Sequence, residues 1–190
     1  MSESSTGRNQ QILEVLAVDK TPILPFEVDV AEGEFEKHKR EQVMLSAKLG
    51  EAMNQSSETW HDNAPAEAIT ADSKVLAERA KKTIGVLQNS VVFEYPTPDE
   101  EEVTLGSLVT YRYKGDKDDS KLYITGSTRT VGSDIEDRLP TDDQELDFAT
   151  LSSPLVMAML GKTAGKDVHF IPNGRRPVDL TIVSVDQIQM

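Results

Sequence analysis

The chain has 190 residues, of which 37% are hydrophobic and 5% aromatic, and it contains no cysteine. The lack of cysteine excludes disulfides and thiolate zinc sites. The sequence contains no run of about 18 apolar residues, which is the length that a helix needs to span a bilayer. Its 33 acidic and 20 basic residues give a net charge of −13, which argues against direct binding of nucleic acid. The N-terminus shows no basic and apolar leader, so we expect a cytoplasmic protein.

Residues 1–28 are predicted to form an N-terminal tail. They are polar at first and only mildly apolar afterwards, which is typical of a terminal or short docking segment. Residues 21–25 contain two prolines, and each proline disfavours a helical conformation in the residue before it. We therefore expect the first long helix to begin only after this run.

Residues 29–92 are predicted to form an antiparallel α-helical coiled-coil hairpin. Over residues 29–55, opposite charges recur three and four positions apart, as expected of a solvated helix. Over residues 66–90, a second helix is indicated by apolar or small residues near heptad spacing. These are Ile69, Leu76, Ala80, Thr83 and Leu87. About 26 residues per arm would give the hairpin a reach of roughly 40 Å.

The segment between the two helices, residues 58–65, holds the only tryptophan of the chain, Trp60. One interpretation is a plain hinge, in which Asp62 or its neighbour caps the second helix and Pro65 lies in its first turn. The other is a functional tip that presents the carboxylates of Glu58 and Asp62 to a metal ion or a partner. Both interpretations stay open, since a capping residue can also be a ligand.

Proline and acidic residues at positions 93–102 predict a linker and a domain boundary. Beyond it the pattern changes to that of β-strands. The expected strands cover residues 103–113, 121–125, 146–151, 167–171 and 178–185. A short helix is predicted over residues 152–161, because Ser153 can cap it and Pro154 suits its first turn. Residues 103–190 are therefore predicted to form a small antiparallel sheet with one helix, which makes the chain an α+β protein.

Two other groups of residues have simple interpretations. The histidines His38, His61 and His169 are too scattered for a metal site, and His169 is expected at the surface of a strand. The apolar residues of the predicted short helix are assigned mostly to the core. They are Leu155, Val156, Met157, Met159 and Leu160.

The run Ser153-Pro-Leu-Val-Met-Ala-Met-Leu-Gly-Lys162, followed by a last β-rich segment, resembles the C-terminal domain of the GreA/GreB transcript-cleavage factors. In that family a Ser-Pro helix that ends in Gly-Lys lies in an FKBP-like sheet. Residues 87–92 are similar to the family's exit from its second coiled-coil helix. An ungapped count back from there places Asp62-Asn63-Ala64 on the family's tip motif. The resemblance covers roughly residues 27–190.

The resemblance implies a factor that binds bacterial RNA polymerase. Its globular domain would dock on the rim of the polymerase secondary channel through Ser153, Pro154 and Leu155, and its coiled coil would enter the channel. The tip carboxylates of Asp62 and Glu58 would help to hold a second Mg²⁺ in the polymerase active site, where backtracked RNA is hydrolysed. We expect a monomer that is not itself an enzyme, binds no cofactor stably and contacts nucleic acid only through the polymerase.

The tip departs from the family pattern at one position. Asp62 matches the second acid of the family's tip, but the first acid falls on Thr59, with Glu58 one residue earlier. On a helix, a shift of one residue turns a side chain by about 100°. The resemblance therefore leaves two functions open: a factor that stimulates transcript cleavage, and a non-cleaving regulator that occupies the same channel.

Two further classes are open because of related folds. A peptidyl-prolyl isomerase would need an aromatic-lined pocket, for which the domain and its linker offer several aromatic residues but no tryptophan. These are Phe93, Tyr95, Tyr111, Tyr113, Tyr123, Phe148 and Phe170. A regulator of other enzymes, like the Rnk relatives of the Gre factors, would have a shorter coiled coil than residues 29–90 predict.

Overall fold

The computed structural model describes residues 4–55, 64–127, 146–172, 174 and 176–188. The chain divides into two compact units. The sheet unit combines residues 1–28 with residues 89–190, and the hairpin unit consists of residues 29–88. None of the helices in the described ranges is long and apolar enough to cross a membrane.

Two long helices make up the hairpin unit: α2 (Pro25–Gln55), whose first turn belongs to the sheet unit, and α3 (Ala64–Gln88). Their less exposed residues recur in alternating steps of three and four, which is the spacing of a coiled-coil seam. The seam consists of His38, Gln42, Leu45, Leu49 and Ala52 on α2 and of Ile69, Ser73, Leu76, Ala80 and Thr83 on α3. The predicted hairpin is confirmed, and the polar residues in its seam explain why the apolar pattern of the first helix is incomplete.

The sheet unit contains seven strands and two helices in its described part. These are α1 (Ser4–Ala17), β1 (Thr21–Ile23), β2 (Ser90–Val92), β3 (Ser107–Tyr113), β4 (Ser120–Thr125), β5 (Leu146–Thr150), α4 (Pro154–Met159), β6 (Asp167–Phe170) and β7 (Val178–Gln187). β1 and β2 pair as a parallel two-stranded sheet. The other five strands form one sheet in the order β5-β4-β3-β7-β6. The predicted α+β class is confirmed.

The five-stranded sheet is mixed, which corrects the prediction of a purely antiparallel one. β3 is antiparallel to β4 and β7, and β6 is antiparallel to β7, but β5 lies parallel to β4. A parallel neighbour requires a connection of about a dozen residues or more, and the chain between Thr125 and Leu146 is long enough. Much of this connection, residues 128–145, lies outside the described residues.

β4 is covered on both faces and lies at the centre of the core. Its last four residues are all buried, although alternate residues of a strand point to opposite faces. Tyr123 is fully buried, and its ring contacts the rings of Phe26 in α2 and Phe148 in β5. Burial raises the pKa of the Tyr123 phenol, and the nearby carboxylate of Glu27 raises it further. The first turn of α2 is therefore part of the core of the sheet unit.

The N-terminal residues form α1 and β1 where the sequence predicts a tail, which corrects that prediction. α1 buries Ile12 completely. The guanidinium of Arg8 donates to the carbonyl of Glu94 (Nη2–O 2.6 Å) and to the hydroxyl of Thr104 (Nε–Oγ1 3.3 Å). Burial lowers the pKa of Arg8. These contacts join residues far apart in the chain, so the local sequence pattern of α1 does not reveal them.

The predicted linker, residues 93–102, packs within the sheet unit. The N–H of Phe93 donates to the carbonyl of Ile23 (2.8 Å), which continues the pairing of β1 with β2. The side-chain amide of Asn9 donates to the carboxylate of Glu102 (3.2 Å). The acidic linker is thus tied to both N-terminal elements.

The carboxylate of Glu27 joins the first turn of α2 to the turn after β4. Glu27 is fully buried, and its Oε2 accepts the N–H of Leu24 (2.9 Å), which is one half of a capping box. The same carboxylate accepts the N–H groups of Gly126 (3.1 Å) and Ser127 (2.9 Å). A carboxylate buried this deeply is stable when hydrogen bonds and the positive end of a helix dipole compensate its lost hydration.

Gly126 allows β1 to approach this turn. A Cβ built on Gly126 would overlap the carbonyl oxygen of Pro22 and would lie 2.8 Å from the side chain of Ile23. Any larger residue would therefore push β1 away from β4. The hydrogen bonds from the N–H groups of Gly126 and Ser127 to Glu27 depend on this close approach.

We expect Glu27→Gln to destabilise the sheet unit by about 2–4 kcal/mol, because an amide nitrogen would face a backbone N–H that now donates to the carboxylate. Urea unfolding followed by the near-ultraviolet circular dichroism of tyrosine measures this, since all four tyrosines lie in the sheet unit. Glu67→Gln is the matched control, because Glu67 lies in the first turn of α3 but is exposed. A wild-type midpoint for Glu27→Gln would contradict the assigned role.

Candidate functional site

The residues predicted to be functional belong to two different parts of the chain. Glu58 and Asp62 lie between α2 and α3, outside the described residues, so their roles stay predictions. Ser153, Pro154 and Leu155 lie at the start of α4, where the structure describes them in full.

The start of α4 is fixed by its backbone. Ser153 precedes the helix in an extended conformation (φ −66°, ψ 133°), and Pro154 occupies the first turn. The carbonyl of Ser153 accepts the N–H of Met157 (2.9 Å), and the N–H of Ser153 donates to the carbonyl of Thr150 (2.9 Å). The Ser153 hydroxyl makes no capping hydrogen bond, in contrast to the prediction that it caps the helix. This hydroxyl can therefore hydrogen-bond to a partner.

The outer face of α4, defined as Ser153, Pro154 and Met157, is partly apolar. Val156 and Met159 are fully buried three positions apart, whereas Met157 is 43% exposed on the same side as the exposed Pro154. This corrects the assignment of Met157 to the core. A short helix that lies on a sheet buries one face, and a step of one residue turns the side chain by about 100°. The sequence signal for the exposure of Met157 was its spacing of three residues from Pro154, which places the two residues on the same side of a helix.

The end of α4 is held by the chain just before β3. Gly161 has φ +74°, a left-handed conformation that favours glycine, and its N–H donates to the carbonyl of Val103 (2.9 Å). The N–H of Val103 donates in turn to the carbonyl of Lys162 (2.8 Å). The Gly-Lys pair of the sequence motif therefore closes the helix and anchors it. With both ends fixed, the outer face of α4 is a rigid surface.

A second group of polar side chains lies on the exposed face of β6 and β7, beside a groove of about 530 Å³. The Nδ1 atom of His169 lies 2.6 Å from Oδ1 of Asp179, and the hydroxyl of Thr181 donates to Asp167 (2.6 Å). His169 is exposed, as predicted. Sequence reasoning missed its partner, because the pairing of His169 with Asp179 follows from the register of the two strands.

Two acidic side chains of this groove, Asp167 and Asp179, already accept hydrogen bonds or pair with neighbouring side chains. The hydrogen bond to His169 lowers the pKa of Asp179; desolvation opposes this, and the electrostatic influence of His169 and of Lys114 lowers the pKa further. Arg112 on β3 forms an ion pair with Asp119 (Nε–Oδ1 2.7 Å). Across the described part of the chain, no three histidine or acidic side chains are grouped so as to hold a metal ion. Asp179 and Arg112 in this groove are therefore already engaged by neighbouring side chains.

The aromatic residues considered for an isomerase pocket largely pack against one another. Tyr123 is enclosed by neighbouring rings, and the rings of Tyr111 and Tyr113 meet edge to face with centroids 5.4 Å apart. Burial also raises the pKa of Tyr111.

Two known proteins whose sequences are similar to this chain carry the same name. The transcription elongation factor GreA of Streptomyces coelicolor is 27% identical over 143 residues, which cover 75% of this chain and 78% of that protein. The transcription elongation factor GreA of Bacillus cytotoxicus is 25% identical over 173 residues, which cover 88% of this chain and 99% of that protein. A solved structure of GreA factor homolog 1 (Gfh1) from Thermus thermophilus matches 87% of this chain and 98% of that chain at 15% identity, with a TM-score of 0.38. No protein-family model matches the chain.

We expect His169→Ala to raise the pKa of Asp179 towards its ordinary value, because it removes the hydrogen bond that favours the carboxylate. The ¹³C carboxyl shift of Asp179, followed by NMR across pH, measures this change. Because the folded-state pKa is the lower one, the pair stabilises the fold above the ordinary pKa of aspartate, and this contribution is lost as pH falls through the folded-state value. Thr181→Ala, which removes a neighbouring hydrogen bond, is the control. An unchanged pKa in His169→Ala would contradict the assigned cause.

Proposed function

Because the chain belongs to the GreA/GreB family of transcription elongation factors, we propose that it binds RNA polymerase and acts on elongation complexes. The observation that carries this proposal is the extent of the match to the Bacillus cytotoxicus factor. That match spans nearly the whole of both proteins, so it includes the helical hairpin as well as the sheet unit. The proposed factor works in the cytoplasm, and the catalysis belongs to the polymerase.

The outer face of α4 is the proposed contact with the rim of the polymerase secondary channel. Pro154 and Met157 offer apolar surface, and Ser153 offers a hydroxyl that caps nothing. Leu155, the third residue of the predicted contact, is half-buried. Interfaces are strengthened when such groups are held in place before binding, because less conformational freedom is lost. The fixed ends of α4 support this assignment.

The hairpin is the proposed arm that enters the channel. Its second helix has 25 residues, which correspond to a length of about 37 Å at about 1.5 Å per residue. At its end, the carboxylates of Asp62 and Glu58 are proposed to complete the oxygen shell of a Mg²⁺ ion that the polymerase holds. Mg²⁺ prefers oxygen ligands and keeps several waters, so an added carboxylate can orient the ion and an attacking water.

A second version of this function rests on the tip sequence. Thr59 stands where the family has its first acid, and a threonine hydroxyl is a weaker ligand for Mg²⁺ than a carboxylate. If Glu58 does not replace that acid, the factor occupies the channel and regulates the polymerase without cleavage. Both versions share the docking surface on α4 and differ only at the tip.

We expect Met157→Glu and Ser153→Arg to weaken binding to RNA polymerase by about tenfold or more, because each places a charge on a partly apolar contact surface. The affinity of each variant for the host polymerase measures this. Ile171→Glu is the matched control, since Ile171 is an exposed apolar residue of the same unit outside α4. Wild-type affinity of both α4 variants, with a folded sheet unit, would remove α4 from the interface.

We expect the protein to stimulate Mg²⁺-dependent cleavage of backtracked RNA more weakly than usual Gre factors. Asp62→Ala should abolish this stimulation, with a loss of about a hundredfold or more, as when one charge-stabilising group is removed from a reaction. Glu58→Ala should impair it more than Thr59→Ala. The measurement is the rate of RNA shortening in a stalled elongation complex.

The outcomes of the cleavage assay separate the two versions of the function. If the wild-type protein binds polymerase but leaves backtracked RNA intact across a range of Mg²⁺, the non-cleaving version is correct. If Thr59→Ala is more damaging than Glu58→Ala, Glu58 does not replace the missing acid. If the protein does not bind polymerase at all, both versions fail.

A further inference from the structure

One flank of the hairpin unit carries an open groove between α2 and α3, with a volume of about 340 Å³. Its apolar centre consists of Met44 on α2 and Val75 on α3, which lie beside the coiled-coil seam. They are 59% and 52% exposed, so more than half of each side chain lies open to water. Such apolar positions at the edge of a coiled coil are commonly covered by further helices.

Acidic and basic side chains alternate around this groove. On α2, Glu41 lies three residues before Met44 and Lys48 four residues after it; on α3, Asp72 and Arg79 flank Val75 at the same two spacings. Because the helices are antiparallel, Glu41 and Arg79 lie at one end of the groove and Lys48 and Asp72 at the other. Each end thus carries one acid and one base.

Most of the charged side chains around this groove are not engaged in ion pairs inside the hairpin. In the described ranges of the chain, Lys48, Asp72 and Arg79 take part in no ion pair. Glu41 approaches only His38, at 3.7 Å, which is a charged pair only when the histidine is protonated. The groove therefore presents both of its acids and both of its bases to an incoming partner.

We propose that this groove is the interface for a second copy of the chain, which joins two hairpins into a four-helix bundle. Two identical grooves can face each other about a two-fold axis along the helices or across them. An axis along the helices places Glu41 opposite Arg79 of the other copy. An axis across the helices places Glu41 opposite Lys48 of the other copy. In both, every acid faces a base, and Met44 and Val75 of the two copies meet at the centre.

The opposite flank of the hairpin lacks this self-complementarity. There, α3 carries Lys74 and Lys81 on either side of Ala77, while α2 carries Val43. On α3 this flank carries two bases without the alternating acids of the first flank, so two copies facing each other through it would gain fewer pairs of opposite charge. The charge pattern therefore selects the flank with Met44 and Val75. A dimer through this flank differs from the monomer that the sequence predicts.

Sedimentation equilibrium of the full-length protein up to about 1 mM tests the proposal. We expect a monomer–dimer equilibrium that Val75→Glu weakens at least about tenfold, because the introduced carboxylate would lie at the centre of the interface. Val43→Glu is the matched control: Val43 is 67% exposed on the opposite flank, and its replacement should leave the equilibrium unchanged. A wild-type protein that stays monomeric, or equal effects of the two substitutions, would overturn the proposal.

A charge-swap pair provides a test that does not depend on one substitution. One variant carries Glu41→Lys with Asp72→Lys, and the other carries Lys48→Glu with Arg79→Glu, so that the first groove is wholly basic and the second wholly acidic. Each variant alone should be monomeric, and an equimolar mixture should form a heterodimer. Far-ultraviolet circular dichroism establishes that both stay helical. Self-association of either folded variant at the wild-type level, or no heterodimer in the mixture, would overturn the proposal.

Discussion

The buried carboxylate of Glu27 is the interaction on which the sheet unit depends most. A negative charge removed from water is costly unless several donors converge on it, and here the backbone N–H groups of Leu24, Gly126 and Ser127 do so. These donors come from the start of α2 and from the turn after β4. The same requirement explains why residues 21–28, which include Glu27, are an integral part of the core.

The proposed function combines a rigid surface with a carboxylate-bearing tip. α4 is fixed at its start by Ser153 and at its end by Gly161, so its outer face keeps one shape. A docking surface of this kind can position an arm without losing much conformational freedom on binding. The chemistry then depends on which oxygen ligands the tip delivers. This division explains why a single position, Thr59, separates two versions of the function while the docking surface serves both.

The hairpin has a low apolar content along its seam, so its two helices bury little apolar surface between them, and its flanks can add to this burial. His38 and Gln42 occupy seam positions, and polar residues at such positions specify register at a cost in stability. Within the described residues, the buried Oε1 atom of Gln42 has no hydrogen-bond partner. A four-helix arrangement would add apolar burial next to Met44 and Val75, where two helices alone leave these side chains exposed. Self-association would thus supply packing that the isolated hairpin lacks.

The sequence by itself determined the elements with local periodicity: the heptad spacing of α3, the period-two strands and the short helix that begins at Pro154. Those patterns report which residues share one face of a helix or strand, because 3.6- and 2-residue periods are properties of the local backbone. It also supplied the family resemblance on which the proposed roles of Asp62 and Ser153 rest. Only the tertiary structure decided that α1 is packed rather than a tail, that β5 is parallel to β4 and that Glu27 is a buried junction. Each of these depends on contacts between residues far apart in the chain, and such contacts leave no periodic signal in the sequence.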